Sequence, residues 1–526
     1  MMTKEFNLLD EKWIVVLDGN GAATEVSMLE AFRNAHEYKR LANELPTADV
    51  AILRLLLAVM YAVFTHVDVN GDRSELTTDN ALDRWKELWR GEQFPCKLIE
   101  QYLEQYRERF YLVHPETPFY QAASLSGRKC TEYEAPKLIG DLSQSGNKPR
   151  LFMGRTSSKS IPKPEATRWL LHVNAFDDTS AKPSVRKSAG SSADAMFAPG
   201  AGWLGKLGLI TVSGENLFQT LLLNFVLIND KNEAYASGKP IWEVDVRDTE
   251  RSKIPLPQGL AELYTLQSRR LLLKYSGNDV TGYYLLGGDA FNKENAFTEP
   301  MTLWRKSDND YTPRRHNAGK QLWRDFGALV QGGDDFKIPG IVRWSEILSE
   351  ENIIDTYSFS AVGIQFGDKD FFVDDVYADS LSVNGAIFSS VGSEWQAAIV
   401  EILNVTENAV KVFGTLASDL ALAEGRDKGE RGKNLFPIRD AAKERAYFSL
   451  DIPFRNWLST IDTTGDMDDI MTAWKKQTRE IIKGLADGML NNMSDAAFIG
   501  HNGKTALEAE KWFNINLAKA LELSGE

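Results

Sequence analysis

Cysteine is nearly absent. Cys96 and Cys130 are the two in 526 residues, too few for a disulfide framework or a four-cysteine zinc site, and this usage suits a reducing cytoplasm. Histidine is sparse as well. The six, His36, His66, His114, His172, His316 and His501, include no pair within one helical turn and no H-E-x-x-H frame, so their spacing predicts no metal centre. No apolar run approaches the roughly twenty residues of a membrane span. The longest, Leu55 to Phe64, predicts a buried core helix, and no membrane partner is expected. Residues 1–10, with Lys4 and Glu5, lack the apolar segment of a signal peptide. Basic charge is in deficit too, with 60 Lys and Arg against 74 Asp and Glu for a net charge of −14. That balance argues against indiscriminate coating of nucleic acid or membrane. A local basic face is not excluded.

What is present is an ordinary globular composition, 43% apolar and 25% charged, on a chain long enough for several domains. Strand-like pieces are expected at 6–16, 208–213, 241–246, 282–286 and 301–304, and helices at 25–42, 49–66 (capped by Thr47 or Asp49) and through 83–110. Phe359 to Gln365, a turn at Gly367-Asp368-Lys369, and Asp370 to Val376 predict a hairpin. From Trp395 onward the period changes. Ile399, Ile402, Val405, Val412, Leu416 and Leu420 form one stripe, and three more helix-period segments follow near 438–458, 466–489 and 505–523. The expected fold class is α+β, with a large mixed domain over 1–388 followed by an antiparallel four-helix bundle over 389–526.

Gly200-Ala201-Gly202-Trp203-Leu204-Gly205 matches G-x-G-x-x-G. A dinucleotide fingerprint needs a helix to start at the glycines, and here a strand-like segment follows, so a structural turn or a loop approaching a ligand remains. Asp462 to Asp469 has the flavour of a calcium loop without its spacing. Its carboxylates suit a helix start better. Asp374-Asp375 reads as a solvated strand end, with metal-dependent nuclease chemistry as the alternative. Ser184-Val-Arg-Lys187 is basic surface. Between Ser145 and Gly190 nine Lys or Arg stand against three acids, and Arg305, Lys306, Arg314, Arg315, Lys320 and Arg324 form a second basic concentration. Such segregation in an acidic chain suits local capture of a phosphate backbone.

Several stretches carry a family resemblance. Phe6-Asn-Leu-Leu-Asp-Glu-Lys-Trp-Ile-Val-Val16, Glu44-Leu-Pro-Thr-Ala-Asp-Val-Ala-Ile-Leu-Arg-Leu-Leu-Leu57, His114-Pro-Glu-Thr-Pro-Phe-Tyr-Gln121 and Leu322-Trp-Arg-Asp-Phe-Gly-Ala-Leu329 resemble the CasA family, as does the carboxy-terminal bundle. CasA is the large subunit of Cascade, the type I-E CRISPR surveillance complex. The resemblance implies a non-enzymatic subunit without cofactor or bound metal. It also implies recognition of the protospacer-adjacent motif (PAM) in duplex DNA and help in opening that duplex for R-loop formation. The implied partners are guide CRISPR RNA, double-stranded target DNA, the backbone and small subunits of Cascade, and a helicase–nuclease.

By position, the resemblance implies a guide-RNA handle loop at Phe152, Met153, Gly154 and Arg155. A minor-groove loop is implied at Gly200, Gly202 and Gly205, where bare backbone can approach base edges. A groove-facing cation is implied at Lys306 or its neighbour Arg305. The wedge hairpin falls on 359–376, and here the chain departs from relatives that carry glutamine at the tip: the turn is Gly367-Asp368-Lys369, so Lys369, or Gln365 under a shifted alignment, takes that role. Arg426, Lys428, Arg431 and Lys433 are candidate contacts for a neighbouring small subunit or a displaced strand, with ordinary charged surface as the alternative, since Asp427 and Glu430 are interleaved with them. Two other functions compete: a metal-dependent nuclease using Asp374, Asp375 or Asp466 to Asp469, and a purely architectural scaffold.

Overall fold

The structure, a computed structural model, describes residues 4–126, 132–140, 159–179, 182–184, 195–197, 201–246, 253–254, 256–291, 299–308, 310–332 and 337–523. They form two compact units. The first comprises Met1–Lys320, Gly332–Ser345 and Ser358–Ser380, and the second Gln321–Gln331, Glu346–Tyr357 and Leu381–Glu526.

The centre of the first unit is helix α1, Pro46–Phe64, in which every residue but Pro46 and Asp49 is buried. A helix apolar on all sides must be covered on all sides. This one is long and apolar enough by composition to span a membrane, yet its most apolar stretch is 94% buried within the protein. The helix expected over 49–66 is thus present, starting three residues earlier, and the apolar run 55–64 is its buried second half. Proline at its first turn presets the backbone, and neither expected residue caps it. Leu45 is the N-cap, without a side-chain bond. The Thr47 hydroxyl instead meets His172 Nε2 at 3.0 Å, and the Asp49 carboxylate accepts the backbone and side-chain N–H groups of Asn43, both at 2.7 Å.

His172 belongs to α2, Lys163–Phe176, which packs against α1. Strand β1, Leu209–Ser213, follows. A ribbon comes next, β2 (Trp304–Ser307) paired antiparallel with β3 (Asp310–Pro313). Strands β4, Thr356–Phe366, and β5, Val373–Asn384, complete a sheet of order β1-β4-β5. β1 pairs antiparallel with β4 in a register that sets Leu209 opposite Val362 and Ser213 opposite Ser358.

Several expected elements differ: the strand over 6–16 divides into Glu5–Asn7 and Ile14–Leu17, and the second hairpin arm starts at Val373 and runs on to Asn384. Ile241 to Val246 is a turn rather than a strand: Arg109 donates to the carbonyls of Ile241 at 2.9 Å and Val244 at 2.7 Å, while Trp242 is buried and donates to Tyr102. Side chains satisfy this backbone where a neighbouring strand was expected to. The helix expected over 25–42 shrinks to Met28–Arg33, because Ser27 and Glu30 form a capping box that starts it late. The stretch 83–110 divides into Thr78–Arg90 and Cys96–Gln105, broken around Gly91 and Pro95.

The second unit holds the expected helices, α3 (Ser393–Ala423), α4 (Phe436–Ser459), α5 (Met467–Leu490) and α6 (Ala506–Ala520). α3 packs on the other three and buries Trp395, Ile399, Ile402, Val405, Leu416 and Leu420. Trp474 of α5 donates to Thr406 at 2.9 Å. Asp466 caps α5 by accepting from the Asp469 N–H, so the acidic cluster there starts a helix. A segment from earlier in the chain completes this unit: Trp323 stacks on Phe454 at 4.5 Å and donates to Asp451 at 2.8 Å, and Arg324 lies 3.4 Å over the Tyr447 ring.

Candidate nucleic-acid interface

Three segments singled out separately in the sequence converge in the first unit. The first runs through Gly202 and Gly205, ends in a single 3-10 turn at Leu204–Lys206 and leads into β1. No helix opens at the glycines, which disposes of the dinucleotide fingerprint. Ala201 to Gly205 are all buried. A Cβ at Gly202 would come within 2.4 Å of the Ala175 carbonyl oxygen, and one at Gly205 would press on Phe366 of β4 at 3.1 Å. The close approach expected toward a ligand is, at these two positions, an approach to the protein's own backbone and ring. Gly200 lies outside the described residues.

The second segment is the ribbon. Its strands start from β1, since Leu303 donates to the Gly208 carbonyl at 2.9 Å and Arg314 to Leu303 at 2.8 Å. Arg305 faces Thr312 and Lys306 faces Tyr311 across the pair. Both cations are exposed, and as strand neighbours they project from opposite faces. Lys306 shares its face with Trp304, whose buried ring lies 4.6 Å beneath the Lys337 ammonium. One flat partner can therefore meet Lys306 or Arg305, but not both side by side.

The third segment is the β4–β5 turn. Its apex contains two consecutive non-glycine residues in the left-handed region, Lys369 at φ 52° and Asp370 at φ 60°, each costing about 1 kcal/mol or more. Surrounding contacts hold them there. Arg315, just beyond the ribbon, donates from Nη1 to both Asp370 carboxylate oxygens at 2.9 Å and lies 5.0 Å over the Phe366 ring. Thr179 donates its hydroxyl to the Lys369 carbonyl at 2.7 Å and its N–H to the Asp370 carbonyl at 3.0 Å. Lys369 is exposed at the apex. Gln365 sits on the arm, half-buried, with its amide 3.4 Å from Asp374. The backbone of Asp368 belongs to the apex turn, while its side chain lies outside the described atoms.

Beneath these segments is a charged node in the core. Arg54 of α1 and Glu299 are joined by two hydrogen bonds of 2.8 Å, with both side chains essentially unexposed. Glu299 also accepts from the Trp203 indole at 3.1 Å and the Met301 N–H at 3.1 Å, and Arg54 lies 4.0 Å over the Tyr264 ring. Buried ion pairs stabilise little relative to apolar replacements, but they penalise misplacement heavily. This one fixes the glycine segment, α1 and the approach to the ribbon to one another.

The expected guide-RNA loop, Phe152, Met153, Gly154 and Arg155, lies outside the described residues. Arg426, Lys428, Arg431 and Lys433 are exposed in the connection between α3 and α4 of the second unit. Among the described residues, no group of three or more His, Cys, Asp or Glu is placed to hold a metal ion.

A family model for the CRISPR-associated protein Cse1 matches residues 7–485. The chain belongs to the Cse1 family. It is 35% identical over 361 residues to the CRISPR-associated protein CasA/Cse1 of Thermus thermophilus, a match covering 66% of this chain and 64% of that relative's length. The crystal structure of Thermobifida fusca Cse1 superimposes with a TM-score of 0.84 at 29% identity, covering 100% of this chain and 99% of that one. A chain of a CRISPR RNA-guided surveillance complex shares the fold at a TM-score of 0.65 and 17% identity, over 92% of this chain and 99% of that one. Both family names attach to the Thermus relative, so the CasA resemblance read from the sequence and the Cse1 match agree.

Within this Cse1 chain, sequence reasoning missed the residues that hold the site together. Arg315 was one cation of a cluster, and Asp370 opened a strand. Arg54 precedes the apolar run Leu55 to Phe64 and carries no expectation of its own. A cation in the middle of a nineteen-residue apolar helix, flanked on both sides by buried residues, is itself a signal, because it demands a buried counter-charge somewhere in the fold.

Proposed function

We propose that this Cse1 chain is the non-catalytic large subunit of a type I-E RNA-guided surveillance complex in the cytoplasm. In this reading it recognises the PAM in duplex DNA, helps start strand opening and R-loop formation, and recruits the helicase–nuclease. It assembles with guide CRISPR RNA and with backbone and small protein subunits. The observation that carries the reading is the convergence just described: the buried glycine segment packs through Gly205 on Phe366 beneath a turn bearing Lys369, and Arg315 and Thr179 fasten that turn beside the end of the ribbon bearing Arg305 and Lys306. A protein that reads a short motif while RNA pairing reads the long sequence needs a small, preorganised surface of this kind.

The test is binding of the guide-RNA complex, with and without this chain, to matched duplexes that do or do not carry the motif, at one fixed salt concentration. A preference for the motif that appears only on adding the chain is expected. If the complex assembles better with the chain yet shows no preference, the protein is a scaffold.

A further inference from the structure

The β4–β5 turn presents a residue that neither the sequence reading nor the family resemblance picks out. Three phenylalanines lie within seven positions, and two are packed inward: Phe366 is buried against Gly205 beneath Arg315, and the Phe372 ring fills the space beside Gly367. Phe371, directly after the left-handed pair, is 49% exposed. Among the described residues of the first unit it is the one phenylalanine or tryptophan that is exposed. Its support is rigid, because Arg315 and Thr179 fix the backbone that precedes it. A ring held this way loses little conformational freedom when it meets a partner.

Charge decides what kind of partner fits. From 368 to 375 the sequence carries four aspartates against the single cation Lys369, and although Arg315 neutralises Asp370, Asp374 and Asp375 remain exposed on the arm. Such a turn repels phosphate and is a poor backbone tracker. It offers an aromatic face instead, next to a ribbon whose cations can hold the backbone nearby. Aromatic rings stack on bases regardless of sequence, and apolar side chains unstack duplex steps by wedging between them.

We propose that Phe371 stacks on a base leaving the duplex stack beside the motif, so that an aromatic ring serves where a polar tip residue was expected. The proposal rests on the reading that this hairpin meets duplex DNA. The experiment uses the assembled guide-RNA complex and motif-bearing duplexes with 2-aminopurine at each of the first two positions past the motif. Fluorescence then reports unstacking. With Phe371→Ala, motif-dependent unstacking slows about ten- to a hundredfold, while Phe371→Trp stays near wild type and Phe371→Leu resembles alanine. Unchanged amide exchange across β1, β4 and β5 verifies that each variant is folded.

Normal opening by Phe371→Ala, while the wild type shows motif-dependent opening, overturns the proposal alone. Full rescue by leucine overturns stacking, since bulk would then suffice. Poor incorporation of Phe371→Ala into the complex, with normal opening per assembled complex, overturns it in favour of a protein contact. A wild type without motif-dependent opening overturns the underlying reading instead.

Discussion

Arg315 grips both carboxylate oxygens of Asp370 at 2.9 Å, and through that contact the end of the cationic ribbon is fastened to the apex of the β4–β5 hairpin. Both side chains are about one-third exposed, so the pair is worth only about 1 kcal/mol in stability. Its value is positional. The apex holds two left-handed residues that relax if the grip is lost. Asp370→Asn is expected to raise amide exchange over 367–372, lower Tm slightly and blunt motif discrimination. The charge exchange Arg315→Asp with Asp370→Arg is expected to recover part of the protection, which a merely local side-chain effect would not do.

Because Arg305 and Lys306 point from opposite faces of the ribbon, their alanine variants are expected to behave differently. The one that reads base edges loses about 1–3 kcal/mol on motif-bearing duplex and little on other duplex. The other weakens binding on both alike and lowers the salt slope by about one. Binding titrations of each variant against the two duplexes at several salt concentrations separate them. Equal behaviour of the two variants would be incompatible with an ordered ribbon at the interface.

The buried Arg54–Glu299 pair makes a stability prediction. Glu299→Gln leaves a guanidinium in the core without its counter-charge and is expected to cost about 3–5 kcal/mol. The double variant Arg54→Met with Glu299→Leu is expected to recover much of that loss. It still strands the Trp203 indole N–H, at about 1–3 kcal/mol. Denaturant unfolding of the three proteins gives the comparison, and exchange at 201–206 shows whether the glycine segment has come loose.

Two groups near the start of α1, Asp49 in its first turn and His172 of α2, shift in opposite directions. Burial raises the Asp49 carboxyl to about 6, opposed by the Asn43 donors and Arg40. The folded state thus holds that proton more tightly, and the stability it contributes is complete below the ordinary carboxylate value of 3.8 and lost as pH rises through about 6. Burial lowers His172 to about 4, opposed by the Asp177 charge. The unfolded chain protonates first there, so stability falls as pH drops from about 6.5 to about 4. The slopes oppose one another across that window. Asp49→Asn is expected to expose the histidine term, adding up to about 1.4 kcal/mol per pH unit to the acid-side loss, measurable as Tm against pH.

The nuclease alternative predicts cleavage with magnesium or manganese that is abolished at Asp374 or Asp375. Among the described residues, neither carboxylate belongs to a group of three or more His, Cys, Asp or Glu placed to hold a metal ion. Purified protein is therefore expected to leave DNA intact with either metal, and Asp375→Ala to change nothing.

Long periodic segments were legible from the amino acids alone. The bundle stripe from Trp395 to Leu420 and the Phe359–Val376 hairpin emerge close to where their periods place them, because burial of one face is written into residue order. Ile241 to Val246 was not legible, since what it pairs with is the Arg109 guanidinium, 132 residues away in sequence. The candidate site divides the same way. Its cations and glycines are local signals, whereas the Arg315–Asp370 and Trp203–Glu299 contacts exist only once distant segments meet.

The packing of Trp323 on Phe454, described with the second unit, bears on how this protein can be taken apart. A fragment that begins at residue 389 keeps four complete helices but leaves the Phe454 ring uncovered, Asp451 without its indole donor and Tyr447 without the Arg324 guanidinium. Such a fragment would be sticky where the native chain is sealed. The bundle's seal is encoded some seventy residues before its first helix, so a stable fragment has to carry residues 321–331 along with the helices they cover.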